Sequence, residues 1–354
     1  MRHTAPVTIR DVAVAAGVTP STVSRALNDE PRIAPSTRAR ILEVAGNLGY
    51  SPSRAARALR TVRTQTLGLF APDLGNPISQ TFMHAAVGAA YELGYAVFAC
   101  DGQGSPTLQQ ALLRRLLEHR VDGILVGYGQ LYLTQALIEA VRSDCPVEPE
   151  IELPESIQPD ETVIVTPNRR RAELERGAST EAYQALLAAG HRRLTFVQVA
   201  GPEGLSAMGK IRRETYEHTL ADAGLPADAT RYLTVPSADH CASEIEDLLS
   251  GDDRPTAIVS AMNLATPAIL RGIYAAGMRM PNDLSFLSFG DSEWAASYAP
   301  PIAVIRHDYA LGARAAVQCL IERAEGQATF PEMELAPSEF MPRGSIGPAP
   351  TTAS

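Results

Sequence analysis

Hydroxyl, carboxamide and guanidinium side chains are concentrated near the amino terminus of this chain, within residues 8–28. Short donors and acceptors of this kind, together with a forked cation, are the groups that hydrogen-bond to base edges in the major groove of DNA. We therefore predict that this stretch contacts DNA. These side-chain types predict contacts by Ser21, Thr22, Ser24, Arg25 and Asn28, and the predicted DNA contacts also include Thr8, Thr19, Pro20 and Arg32.

Two short helices must position these groups, and the residue pattern predicts both of them. Apolar residues recur at helical spacing from Ile9 to Ala16, and Gly17 follows where the chain leaves a helix with positive φ. Thr19 is placed to cap the next helix, with Pro20 in its first position. The pair predicts a helix-turn-helix. The alternative is a small helical hairpin, rich in Ala, Gly and Ser, that has no role in DNA binding.

A third helix is predicted from Pro35, with Gly49 ending it, and it completes an all-α DNA-binding head over residues 1–52. Residues 53–66 follow as a predicted hinge helix and linker. The segment 54–59 is too short to be a stable helix alone. Arginines on both sides of its leucine favour folding on DNA, and a plain linker helix is an equally good interpretation of this spacing.

Charge is divided unevenly along the chain. The net charge is −9, yet residues 1–63 contain ten arginines and four carboxylates and so carry +6, which leaves −15 for the rest. A basic head on an acidic body is the asymmetry expected when one end of a protein meets phosphates. We therefore predict double-stranded DNA as the partner of the head.

Composition and motifs argue against several other classes of protein. No apolar run reaches the length of about 18 residues that a transmembrane helix needs, and no apolar segment marks a secretion signal. Four widely spaced cysteines, without a CxxC spacing or a histidine cluster, predict reduced thiols, no metal site and a cytoplasmic location. The motifs GxGxxG, GxSxG and HExxH are absent, so we expect neither an enzyme nor a cofactor.

From residue 67 onward, apolar strands alternate with helices, which is typical of parallel sheets covered by helices on both faces. About nine such strands suit two stacked lobes better than one sheet. We therefore predict a two-lobed α/β core over residues 67–345, followed by a disordered tail over residues 346–354.

Ligands of parallel sheets bind outside the carboxyl ends of the strands. Polar residues follow five predicted strands within one to three positions; they are Asp73, Asp101, Tyr128, Asn263 and Asp291. Two facing lobes would bring these groups around one cleft, where carboxylates and amides can hold the hydroxyls of a ligand. For each residue taken singly, a role as a turn or cap residue is the competing interpretation.

The head motif TIRDVAxxAGVTxSTVSRALN, together with RVDGIL, GHRRLTFV and PRGS in the body, resembles the LacI/GalR family of transcriptional repressors. The resemblance runs nearly end to end. It implies a helix-turn-helix head, a hinge helix and a dimeric core of two lobes similar to periplasmic sugar-binding proteins. It also implies a pseudo-palindromic operator, whose minor groove would receive Leu59 as a wedge, with Arg54 and Ala56 beside it.

The resemblance also assigns residues around the ligand, and there the chain departs from the family. Ser79, shortly after Asn76, lies where the family often has an aromatic ring, and Arg212 aligns with the ligand-binding arginine. The pocket is expected to carry fewer fixed charges and no obvious stacking ring. Trp294, close to Asp291 in sequence, is a candidate ring for the ligand, with packing inside the lobe as the alternative.

These observations predict a sequence-specific DNA-binding regulator of transcription, of the repressor type. A small-molecule effector, a sugar or a related metabolite, is expected to bind between the lobes and to control the affinity for the operator. We expect a homodimer that does not associate with membranes. The alternative is a solute-binding protein for transport, against which stand the basic head and the lack of a secretion signal.

Overall fold

The computed structural model describes residues 7–27, 32–50, 63–127, 147–149, 168–200, 205, 207–226, 230–325 and 337–350. The chain divides into two compact units, Met1–Thr64, which contains the head, and Gln65–Ser354, which we call the core. Among the described helices, none has the length and apolarity required to cross a membrane.

Three helices build the head: α1 (Ile9–Ala16), α2 (Pro20–Leu27) and α3 (Pro35–Asn47). Each contributes one fully buried large side chain, Val12, Val23 and Ile41 respectively, and four alanines fill the space around them. Gly17 ends α1 with a φ of 62°, the left-handed conformation that glycine adopts without strain. The predicted helix-turn-helix is confirmed.

The first lobe of the core is a parallel sheet between helices. Its elements are β1 (Thr66–Ala71), α4 (Pro77–Glu92), β2 (Ala96–Asp101), α5 (Pro106–Glu118), β3 (Gly123–Val126) and β4 (Val147–Pro149). The strand order is β2-β1-β3-β4, and each neighbouring pair is parallel. Helix α11 (Tyr309–Ala324), from late in the chain, returns to this lobe and packs against α4.

The second lobe contains a larger sheet. Its elements are α6 (Asn168–Ala188), β5 (Leu194–Val199), α7 (Ala207–Asp222), β6 (Thr230–Val235), α8 (Cys241–Ser250), β7 (Ala257–Ser260), α9 (Thr266–Ala275), β8 (Ser285–Phe289), α10 (Glu293–Ser297), β9 (Ala303–Arg306) and β10 (Glu339–Met341). The order is β10-β9-β8-β7-β5-β6, parallel except that β10 runs antiparallel to β9. Adjacent residues of one strand, such as Phe196 and Val197, enter hydrophobic clusters on opposite faces. The sheet is therefore buried on both faces, as its continuous apolar strands predict.

The predicted α/β class and the two lobes with parallel sheets are confirmed. Two strands, β4 and β10, were not predicted, because three residues are too few to show a pattern. The first of them lies in a stretch rich in Pro and Glu, and the second is a half-exposed edge strand. The sequence also predicts a helix over residues 131–141, which lie outside the described residues.

The carboxyl-terminal segment packs on the second lobe, so the predicted disordered tail is wrong for residues 346–350. The backbone N–H of Gly347 donates to Ser285 Oγ at 3.0 Å, and that of Ala349 donates to Ala189 O at 2.8 Å. The ring of His191 joins the same site, with Nε2 3.0 Å from Gly347 O. Small residues and prolines gave no apolar pattern to predict from, because backbone groups make this contact.

Candidate functional site

In the head, the first turn of α2 presents a cluster of hydroxyl groups. Thr19 caps the helix, because its Oγ1 accepts the backbone N–H of Thr22 at 3.3 Å. The same oxygen lies 2.8 Å from Ser21 Oγ and 2.9 Å from Thr22 Oγ1. Thr19, Pro20 and Ser21 are exposed, so the amino-terminal end of α2 offers hydroxyls and partial positive charge to a ligand.

Two other predicted contacts on α2 differ in exposure. Arg25 is exposed near the end of the helix, as a DNA contact requires. Ser24 is only 9% exposed and belongs to the interior of the head, together with Val23 and Ala26. The structure therefore does not support Ser24 as a base contact, since helical geometry places it on the packed side.

Thr8 acts as the amino-terminal cap of α1. Its Oγ1 donates to Asp11 Oδ2 at 2.7 Å and accepts the backbone N–H of Asp11 at 3.4 Å. The hydrogen bonds from the side chain and backbone of Thr8 hold the pKa of Asp11 below its ordinary value. Arg32 is exposed. Four further predicted contacts lie outside the described residues: Asn28, Arg54, Ala56 and Leu59.

In the first lobe of the core, the predicted ligand residues bind nearby backbone. Asp73 Oδ1 accepts the N–H of Gly75 at 2.7 Å. Asp101 Oδ1 accepts the N–H groups of Leu74 and Gln103, both at 3.0 Å. These carboxylates therefore stabilise turns at the carboxyl edge of the sheet, which is the competing interpretation of their positions.

The amino-terminal end of α4 follows the same rule. Asn76 caps the helix, because its Oδ1 accepts the N–H of Ile78 at 3.0 Å. Ser79 is fully buried, so the structure does not support it as a ligand contact. Ile78 instead extends toward the second lobe, where its Cδ1 lies 3.0 Å from the position that a Cβ on Gly290 would occupy. The lobes approach each other closely at this point. Tyr128 lies outside the described residues.

The carboxyl edge of the second lobe contains a buried ion cluster around Glu175, a residue of α6. Arg212, from α7, donates to its carboxylate from Nε at 2.5 Å and from an Nη at 2.9 Å. The other Nη of Arg212 donates to Ala261 O, just after β7, at 2.7 Å. The guanidinium lies 4.4 Å from the centre of the Phe289 ring.

His307, which directly follows β9, completes this cluster. Its Nε2 lies 2.9 Å from Glu175 Oε2, and its Nδ1 lies 2.7 Å from Ser338 Oγ. Burial raises the pKa of Glu175, since the side chain is 1% exposed. The charge and hydrogen bonds of Arg212, with a smaller contribution from His307, outweigh that effect and hold the pKa of Glu175 well below its ordinary value.

A second ion pair lies near the same edge. Asp291 accepts two hydrogen bonds from the guanidinium of Arg343, at 2.9 and 2.8 Å. Its carboxylate is therefore committed within the lobe. Trp294 packs against the hydrophobic cluster that contains Phe286, so lobe packing, the alternative stated for it, is what the structure shows.

Asn263 is a predicted ligand residue whose side-chain amide has an unused hydrogen-bond donor among the described residues. The side chain is 5% exposed, and its Nδ2 has no hydrogen-bond partner in the described part of the chain. It lies beside Gly290, at the point where Ile78 of the first lobe approaches. Of the predicted ligand residues, the structure thus places Asn263 between the lobes with a donor to spare.

Three residues of this edge were not predicted as site residues. Glu175 lies inside a polar helix with no distinguishing spacing, and Arg343 is separated from Asp291 by 52 positions. His307 directly follows a strand, and this position at the carboxyl end of the strand is the sequence signal that could have identified it as a site residue.

Comparison with known proteins agrees with this architecture. The family profile described as "Bacterial regulatory proteins, lacI family" matches residues 8–53, and that of a "Periplasmic binding protein-like domain" matches residues 183–346. The chain therefore combines a DNA-binding domain of the lacI type with a periplasmic-binding-protein-like domain, and the first match covers the three-helix head described above.

Relatives of similar length share both parts. Catabolite control protein A of Priestia megaterium is 28% identical over 310 residues, which are 87% of this chain and 90% of that protein. The HTH-type transcriptional repressor PurR of Aliivibrio salmonicida is 29% identical over 323 residues, 89% and 92% of the two chains. The second of these relatives is a transcriptional repressor by name.

Solved structures show the same fold. The lac repressor dimer bound to operator and the anti-inducer ONPF has a TM-score of 0.78 at 23% identity, covering 97% of this chain and all of that one. A complex of the transcriptional regulator CelR with cellobiose has a TM-score of 0.63 at 26% identity, covering 96% and 99%.

Proposed function

We propose that this protein is a repressor-type regulator that binds a specific DNA operator and responds to a small-molecule effector held between its lobes. The observation that carries the DNA-binding part is the first turn of α2. Thr19, Pro20 and Ser21 are exposed there, and Arg25 is exposed one helical turn further on. Such a helix end fits the major groove, where short polar side chains and an arginine read base edges.

The finer features of the proposal follow from the family. A homodimer on a pseudo-palindromic operator is supported by the lac repressor dimer on its operator, and by Val87 and Tyr91, exposed apolar side chains on α4. Leu59 is the proposed minor-groove wedge at the operator centre. We place the protein in the cytoplasm and assign it no catalytic activity, in line with a relative that is a transcriptional repressor by name.

A sugar or related metabolite is the proposed effector, because the CelR relative is seen with cellobiose. The proposed contact is Asn263, at the carboxyl edge of the second lobe, where its amide faces Ile78 of the first lobe. A transport solute-binding protein has no use for the basic head, so that alternative is set aside.

Operator binding tests the proposal directly. The full chain is titrated against the DNA upstream of its own gene, at fixed salt, with and without sugars. We expect Arg25→Ala to weaken specific binding by about 1–3 kcal/mol, the range of a good base contact. Arg279→Ala is the matched control, because that arginine is exposed on the core and pairs with Asp283.

Two results would count against the proposal. Equal operator affinity in the wild type and Arg25→Ala would show that α2 does not read the DNA. An affinity that does not fall with salt would show that the basic head is not the DNA-facing end, since each neutralised phosphate contributes about −0.9 to the slope of log K against log salt.

A further inference from the structure

Arg212 is the cation at the carboxyl edge of the second lobe that a negatively charged ligand would seek. Its guanidinium already makes two hydrogen bonds to Glu175 and a third to Ala261 O, and one face covers Phe289. The carboxylate of Glu175 accepts hydrogen bonds from Nε and one Nη of the same guanidinium. A ligand carboxylate or phosphate would use this same geometry. An anionic ligand would therefore have to displace Glu175.

Displacement of Glu175 is strongly disfavoured. Its carboxylate is 1% exposed, and a buried charge that loses its partner has no water to replace it. His307 holds the other side of the carboxylate, and Ser338 binds the far nitrogen of that ring. Within this cluster, the carboxylate of Glu175 balances the charge of the Arg212 guanidinium.

The other ion pair and the two carboxylates described at these edges add no positive charge. Arg343 is neutralised by Asp291, with which it forms two hydrogen bonds. At the first lobe, Asp73 and Asp101 are carboxylates that accept backbone N–H groups. The described part of the cleft is therefore neutral on one side and negative on the other, which opposes the binding of an anion.

Asn263 supplies the complementary observation. Its buried Nδ2 has no hydrogen-bond partner in the described part of the chain, and a buried donor without a partner is unfavourable until a ligand oxygen accepts from it. The Ile78 side chain of the first lobe approaches the same point, next to Gly290. An amide donor beside an apolar side chain suits the hydroxyl, ether or carbonyl oxygen of an uncharged molecule.

We propose that Glu175 determines specificity in the cleft: by holding Arg212, it restricts the effector to uncharged molecules and excludes carboxylates and phosphates. Asn263 donates to an oxygen of that molecule. This inference rests on the proposed function only in that it names the class of effector. The residue to change is Glu175, which acts through Arg212 and does not need to touch the ligand.

Inorganic phosphate is a suitable probe, because its binding does not depend on knowing the effector or the operator. Melting of the full chain is followed as phosphate replaces chloride at constant ionic strength and mildly alkaline pH. Glu175→Gln keeps the shape of the side chain and leaves the guanidinium of Arg212 without its carboxylate. We expect this variant to bind phosphate about tenfold to a hundredfold more tightly than the wild type, the range for hydrogen bonds to a charged group.

Two controls locate the effect. Glu217→Gln also removes the carboxylate partner of an arginine on α7, Arg213, but that pair lies on the surface, so no gain is expected. The double variant Glu175→Gln with Arg212→Gln should lose the gain. Phosphate bound by the head contributes equally to all of these proteins.

The outcomes are distinct from those of the operator titration. A phosphate response of the wild type that disappears in Arg212→Gln would overturn the proposal, because Arg212 would then be open to anions. A folded Glu175→Gln protein with the wild-type response would overturn it as well. If Glu175→Gln does not fold, the comparison of the wild type with Arg212→Gln decides the matter, and equal responses support the proposal.

Discussion

The carboxyl edges of the two lobes hold their carboxylate side chains with different kinds of contact. In the first lobe, Asp73 and Asp101 each accept a backbone N–H group two positions away in sequence, and Asp101 also accepts that of Leu74, 27 positions away. In the second lobe, Glu175 binds Arg212 across 37 positions, and Asp291 binds Arg343 across 52. The carboxylates of the first edge are therefore held by backbone groups, whereas those of the second are held by charged side chains from distant segments. Substitutions should affect the two edges very differently.

The largest effect is expected from Arg212→Ala. Removal of the guanidinium leaves Glu175 buried and uncompensated, which should lower the free energy of unfolding by about 3–5 kcal/mol. Chemical denaturation of the full chain measures this. Arg213→Ala, on the same helix, breaks a surface pair and should cost less than about 1 kcal/mol. Similar losses in both variants would contradict the buried, distant contact that distinguishes the second lobe.

At the first edge, Asp101→Ala should cost about 1.5–3 kcal/mol, because two backbone N–H groups lose a charged acceptor. Asp101→Asn retains an oxygen at Oδ1 and should recover most of that stability. The matching change in the second lobe, Glu175→Gln, should cost more stability than Asp101→Asn, since the guanidinium of Arg212 loses its negatively charged partner. Denaturation midpoints of the three variants would show whether this contrast holds.

The point where the lobes meet gives an intermediate effect. Gly290 has a φ of 86°, and a Cβ there would lie 3.0 Å from both the Asn263 Cβ and the Ile78 Cδ1. Gly290→Ala should therefore cost about 1–2 kcal/mol for the backbone conformation, plus a further loss from crowding. Gly277→Ala is the control, because its φ is 71° and nothing lies within 4 Å of the added carbon. Equal losses would mean that the lobes do not press together at Gly290.

The smallest expected effect is a pH dependence at the far side of the second lobe. Burial holds the pKa of His191 below its ordinary value of 6.5. The unfolded chain then takes up a proton that the folded chain does not, so stability should fall as the pH drops below about 6.5. His191→Asn should remove this part of the pH dependence. Identical pH profiles of melting in the two proteins would show that the ring is not held neutral by the fold.

The sequence by itself determined the elements and the local part of both sites. Helix caps such as Thr19, the glycine that ends α1 and the apolar strands of the core follow from neighbours within a few residues, where spacing alone specifies the contact. The turn roles of Asp73 and Asp101 belong to the same class, and were stated as the alternative for each residue. Only the choice between a turn role and a ligand contact for these residues required the three-dimensional structure.

Only the tertiary structure decided which charged side chains already have a partner within the protein. Arg212 was predicted as a ligand-binding arginine, but the packing of α6 on α7 brings Glu175 against it. Asp291 is likewise bonded to Arg343, and residues 347 and 349 are held on the second lobe by backbone hydrogen bonds. The spacing of apolar residues along the sequence does not predict such partners, because they come from segments whose separation along the chain is unrelated to their separation in space.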